Sequence, residues 1–200
     1  MPCAGSTAPL ADPAGLLERA IGYALGTVQD VTPQCLSRPT PCAAWNLRLL
    51  LQHVNDSLSA LREGADAGRV SLAPAATDPG DGPADLVAAF RDGASRLLGA
   101  WTSSCHRNRV IPIGNLPLTA GIMAGAGAVE IAAHGWDISQ ACGQRRPIPP
   151  ALAIDLLRIS QAIVPGTGRR HPQFADPVAV PTLATPSDRL VAFLGRRPKT

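Results

Sequence analysis

At 200 residues and 20.7 kDa, with 46% hydrophobic residues, the chain is long enough to bury one domain-sized core and too apolar for wholesale disorder. Its net charge of +3 is scattered over 17 arginines and one lysine, and aromatics make up 4% of residues, so the basic and aromatic footprint of a nucleic-acid binder is missing. There is no apolar run long enough to span a membrane and no secretory leader, and the five cysteines contain no CxxC; the expectation is a cytoplasmic protein without a disulfide framework or zinc ribbon.

Residues 1–12 read as a lead-in. A first helix is expected over Pro13–Asp30, capped by Asp12 with Pro13 in its first turn, its apolar side formed by Leu16, Leu17, Ala20, Ile21, Ala24, Leu25 and Val28. Three prolines make Thr32–Trp45 an extended connection. Asn46 caps a second helix to about Glu63, with Trp45 and Leu50 placed to staple its start and Leu47, Leu51, Val54, Leu58 and Leu61 as its buried stripe. Gly64–Pro83 is rich in Gly, Pro and Asp and reads as a loop framing a site.

A third helix follows from Pro83 to about Ser104, and Arg109–Pro117 reads as one irregular strand-like crossing. Thr119 caps a fourth helix that runs to about Cys142 and stops at Gly143. Ala151–Val164 is a fifth helix, Gly166–Pro181 a proline-rich loop, and Ser187–Leu194 a last short helix. Successive helices with little strand signal predict an all-α, up-and-down four-helix bundle, a single domain over 1–200 with 165–200 packing on it as an extension.

The fourth helix holds the chemistry. Its run GIMAGAGAVEIAAHGWDIS is small or apolar except for Glu130, His134 and Asp137, spaced so that all three share one face. Only three glutamates occur in the chain, and Glu18 and Glu63 sit in ordinary surface-compatible positions. An ionised Glu130 in such a helix must face water, pair with a cation or bind a metal. A Glu–His pair or a solvated stripe satisfies that spacing as well as a metal does. His53, beside the apolar stripe of the second helix, changes the balance: if the two helices are neighbours, two imidazoles and a carboxylate form a three-ligand site. Such a site suits Zn²⁺ and permits Ni²⁺ or Fe²⁺.

Three stretches then resemble a known family: TPCAAWNLRLLLQHV (Thr40–Val54), VEIAAHGWDISQACGQ (Val129–Gln144) and SDRLVAFLGRRP (Ser187–Pro198). They are similar to the DinB/YfiT-like superfamily, within it the actinobacterial mycothiol-dependent maleylpyruvate isomerase-like metal-binding branch. The resemblance covers nearly the whole chain and is weakest over residues 64–118. It implies a bundle holding a divalent metal on His53, Glu130 and His134, with a low-molecular-weight thiol such as mycothiol as cofactor or co-substrate. The resemblance also implies a further C-terminal domain, and the residues after about 147 are expected to be too few to supply it.

A free thiol of pKa about 8.5 is mostly protonated at neutral pH, whereas a metal ion deprotonates it. The expected activity is therefore metal-dependent thiol transfer to, or isomerisation of, an electrophilic small molecule. The alternatives are metal-dependent hydrolysis on the same residues and a non-catalytic small-molecule-binding bundle. Asp137 either orients an imidazole, faces solvent or pairs with an arginine. Trp136 is expected in the core and Cys42 as a small buried hydrophobe; Arg189, Arg196 and Arg197 are expected on the wet surface, the alternative being that they fold back to meet an anionic substrate or a thiol's carboxylate. Gly121, Gly125 and Gly127 either permit close helix packing or weaken the helix. Cys105, His106 and His171 match no ligand spacing. The expected partners are a small molecule and a thiol, without nucleic acid or membrane, and a homodimer is compatible.

Overall fold

The computed structural model describes residues 12–42, 45–71, 82–103, 109–113, 116–165, 170 and 174–198. Six helices dominate: α1 (Pro13–Val28), α2 (Leu47–Ala67), α3 (Pro83–Ser103), α4 (Ala120–Ala141), α5 (Pro150–Ile163) and α6 (Pro186–Phe193). A 3-10 turn at Pro33–Cys35 lies between α1 and α2. Among the described residues the fold is all-α apart from one two-stranded sheet, as expected of a DinB-like bundle.

α4 is the axis of the assembly. It lies against α1, α2 and α5, and α3 closes the bundle against α2 and α1. A helix touched on three sides must be apolar nearly all round, which is what the Ala/Gly/Ile-rich sequence of α4 supplies. Its glycines serve close approach. A Cβ at Gly127 would stand 2.7 Å from both Leu61 methyls of α2, and one at Gly135 would stand 3.2 Å from the Ala24 Cα of α1. Thr119 Oγ1 accepts the Ile122 amide at 3.3 Å and starts the helix.

α2 begins where Asn46 Oδ1 accepts the Leu49 amide at 3.0 Å, and it buries Leu47, Leu50, Leu51, Val54, Leu58 and Leu61. Each fully buried leucine contributes about 1.5–3 kcal/mol. The helix runs through Gly64 to Ala67 rather than ending at Glu63. Gly64 faces the Met123 thioether of α4, and Gly68, at φ +68°, provides the left-handed residue that ends the helix. Of the loop expected at Gly64–Pro83, residues 72–81 lie outside the described residues. At the start of α1, Asp12 adopts φ +37° and its side chain does not cap the helix.

The crossing expected at Arg109–Pro117 is two strands, β1 (Val110–Ile113) and β2 (Leu116–Thr119), paired antiparallel with Pro112 opposite Pro117. Neither proline offers an N–H to that pair. The Pro112 carbonyl instead accepts the Val70 amide at 3.0 Å, tying the hairpin to the chain beyond α2. The Gly114–Asn115 dipeptide between the strands is the hairpin signal that the single-crossing reading overlooks.

Candidate metal centre

The PCxxW segment delivers the first side chain. Thr40 Oγ1 donates to the Trp45 carbonyl at 2.9 Å, and Leu47 N donates to the Arg38 carbonyl at 3.0 Å. This turn lays the Trp45 ring on the imidazole of His53, with centroids 4.4 Å apart. His53 leaves α2 toward α4, where Glu130 and His134 stand one turn apart.

The structure brings His53, Glu130 and His134 together. One ligand atom from each lies within 4.8 Å of the others. His53 Nε2 is 2.5 Å and His134 Nε2 3.2 Å from the same carboxylate oxygen, Glu130 Oε1. The two imidazoles meet edge to face, 5.2 Å between centroids. Both therefore present Nε2 to one point, with a carboxylate oxygen beside them. Ligand atoms at about 2.0–2.2 Å from a divalent ion stand somewhat over 3 Å apart, which this arrangement meets with small side-chain adjustments. The donor set fits a borderline ion such as Zn²⁺.

Behind His134 is a buried ionic support. Its Nδ1 is 3.0 Å from Asp137 Oδ2, which fixes the ring and leaves Nε2 for the centre. Asp137, wholly buried, accepts Arg196 Nη2 at 2.9 Å on Oδ2 and Arg196 Nε at 3.4 Å on Oδ1. Arg196 Nη1 also donates to the Leu194 carbonyl at 3.0 Å. Arg196 is thus a buried partner of the site, not the solvated surface residue expected. The reason lies in Gly195, at φ +86°, which turns the chain back over α6 so that the Arg196 amide donates to the Val191 carbonyl at 2.9 Å.

The electrostatics follow the geometry. Burial alone would raise the Glu130 carboxyl, but the flanking His134 and His53 imidazoles outweigh it and hold the group well below the usual carboxylate range. Burial would lower His134, yet Glu130 and Asp137 push it up to about 9. Asp137 is held low against burial by Arg196 and His134. Exposure is graded: the His134 and Asp137 side chains are buried, whereas a third of His53 and of Glu130 remains accessible. The centre therefore opens to solvent on the side of His53 and Glu130.

Trp136 is buried core, as expected. Cys42 is half-buried rather than enclosed. Arg189 is exposed and donates to the Thr182 carbonyl. Cys105, His106 and His171 lie outside the described residues. Arg196 is the residue that sequence reasoning missed; the signal available was a glycine directly after a short helix, followed by arginine.

Comparison with known proteins gives the family and the fold. Two uncharacterized proteins of Mycobacterium tuberculosis, from strains CDC 1551 / Oshkosh and ATCC 25618 / H37Rv, are each 30% identical over 189 residues, spanning 92% of this chain and 98% of their own. The crystal structure of the mycothiol-dependent maleylpyruvate isomerase shares the fold, with a TM-score of 0.62 at 17% identity over 80% of this chain and 70% of that one. The family model for the mycothiol maleylpyruvate isomerase N-terminal domain matches residues 17–139, a segment that includes His53, Glu130, His134 and Asp137, and the chain belongs to that family.

Proposed function

We propose that this chain is a divalent-metal-dependent enzyme that activates a low-molecular-weight thiol, of the mycothiol type, for transfer to or isomerisation of an electrophilic small molecule. The observation that carries the reading is the convergence of two imidazole Nε2 atoms and one carboxylate oxygen, with His134 backed by a buried Asp137–Arg196 pair. A metal bound there would supply the Lewis acidity that keeps a thiol deprotonated at neutral pH.

The chain's own residues supply the rest. His53, Glu130 and His134 would hold the ion. Asp137 accepts a hydrogen bond from His134 Nδ1–H and so fixes the tautomer that leaves Nε2 free to coordinate. Arg196 balances the Asp137 charge in the core, so that Asp137 remains an acceptor. Trp45 shields one side of His53 from water, and the accessible edge of His53 and Glu130 is where thiol and electrophile enter.

The test is incubation of zinc-loaded protein with mycothiol and an electrophilic small molecule, following thiol and product by mass spectrometry. Metal-dependent conjugate formation supports transfer, and isomerised product without net thiol loss supports isomerisation. Metal-dependent turnover that ignores the thiol would assign hydrolysis to the centre instead. No metal-dependent turnover of any kind would overturn the proposal in favour of a binding bundle.

A further inference from the structure

On the C-terminal side of α4, away from the centre, two free cysteines meet. Cys35 ends the 3-10 turn after α1, with its amide bonded to the Thr32 carbonyl at 3.0 Å and its carbonyl accepting the Arg38 amide at 2.9 Å. Cys142 caps the end of α4, its amide bonded to the Ile138 carbonyl at 2.9 Å. Arg38 Nη1 donates to the Ala141 carbonyl at 3.2 Å and draws the turn onto the helix end. Both cysteines are free thiols, Cys35 packed in the core and Cys142 half-buried at its edge, and each lies near enough to the other to bias its ionisation.

The pair is chemically asymmetric. The Thr32 hydroxyl, 3.3 Å from Cys35 Sγ, holds the Cys35 thiol below its ordinary value, with Arg38 acting in the same direction. Burial, together with the neighbouring Cys35 and Asp30, pushes Cys142 up to about 12. One sulfur is therefore the better nucleophile, and the other is a protonated thiol beside it.

We propose that Cys35 and Cys142 form a redox modification site, a dithiol that hydrogen peroxide converts into a disulfide joining the α1–α2 connection to the end of α4. The Cys35 thiolate attacks one peroxide oxygen. The O–O bond breaks, the departing hydroxide takes up a proton as water, and Cys35 becomes a sulfenic acid. The Cys142 sulfur, giving up its proton, then attacks the Cys35 sulfur. The S–O bond breaks and hydroxide leaves with that proton as a second water. Two thiols and one peroxide thus give one disulfide and two waters, with sulfur oxidised and peroxide oxygen reduced.

The test uses the full chain treated with hydrogen peroxide, then denatured, alkylated with N-ethylmaleimide and mapped by peptide mass spectrometry. The proposal predicts loss of two alkylation sites, a cross-linked peptide containing Cys35 and Cys142, and reversal by dithiothreitol. In Cys142→Ala, peroxide should leave a sulfenic acid on Cys35 that dimedone traps when the treated protein is denatured in its presence. Full alkylation of all five cysteines after peroxide, or a bond joining other cysteines while Cys35 and Cys142 stay alkylated, would overturn it. So would a Cys142→Ala protein that dimedone does not label at Cys35.

Discussion

Arg196 and Asp137 form a two-bond ion pair that is closed to solvent, Nη2 to Oδ2 at 2.9 Å and Nε to Oδ1 at 3.4 Å. It joins the segment after α6 to the helix that carries two of the three candidate ligands. Breaking such a pair from one side strands the other charge in the core, which costs far more than the pair contributes when intact. Arg196→Ala is expected to lower unfolding stability by about 3–5 kcal/mol. Urea unfolding measures this, and Arg196→Lys, which keeps the charge but loses the fork, should fall between the two.

Asp137→Asn keeps the shape of the side chain but offers His134 an amide in place of a carboxylate. Its effect should appear on the metal before it appears on the fold. Zinc affinity is expected to fall about 10–100-fold, read by competition with a chromogenic chelator. An unchanged affinity would mean that Asp137 supports only the core.

Metal uptake should be coupled to proton release. His134 is raised from its ordinary 6.5 to about 9, so at pH 7.5 the metal must displace the proton on its imidazole. Affinity should therefore climb about tenfold per pH unit up to about pH 9 and then level off. Calorimetry in buffers of different ionisation enthalpy counts the proton. The metal-free protein behaves in the opposite sense. The raised His134 contributes stability that is full below pH 6.5 and lost as pH rises through 9. The depressed Glu130 contributes stability that is present above pH 4.5 and lost as pH falls. The apo form should gain most from this cluster between those two values.

Helix contact at α4 gives a prediction independent of the metal. A Cβ at Gly135 meets the Ala24 backbone at 3.2 Å, which cannot move aside, whereas one at Gly127 meets only the flexible end of Leu61. Gly135→Val should cost about 1–3 kcal/mol or more by overpacking. Gly127→Ala should cost less, because Leu61 can rotate away and alanine favours the helix by up to about 1 kcal/mol. Thermal unfolding of the two variants orders them.

The helices were legible because each signal was local. Asn46 and Thr119 cap α2 and α4 as their types require, and the Leu47–Leu61 stripe is buried along its length. The spacing of Glu130, His134 and Asp137 was local as well, since one helical face follows from sequence separation alone. Whether His53 faced them was a question of tertiary contact, which its place beside the apolar stripe of α2 raised and the family resemblance implied. Arg196 and the Cys35–Cys142 pair were illegible for the same reason. Each depends on a turn that carries the chain back to a partner far away in sequence, Gly195 for the arginine and the Thr32–Arg38 turn for the cysteines. The end of α2 was misplaced because Gly64 reads as a helix breaker unless the Met123 side chain beside it is known.

The central claim is that His53, Glu130 and His134 hold a metal, and metal stoichiometry tests it most directly. Purified chain, equilibrated with zinc and freed of excess by gel filtration, would be measured by inductively coupled plasma mass spectrometry beside His53→Ala and Glu130→Gln. About one zinc per chain is predicted for the wild type. The two variants should lose it while keeping the helical circular dichroism. Full occupancy in both folded variants, or none in the wild type, would contradict the account.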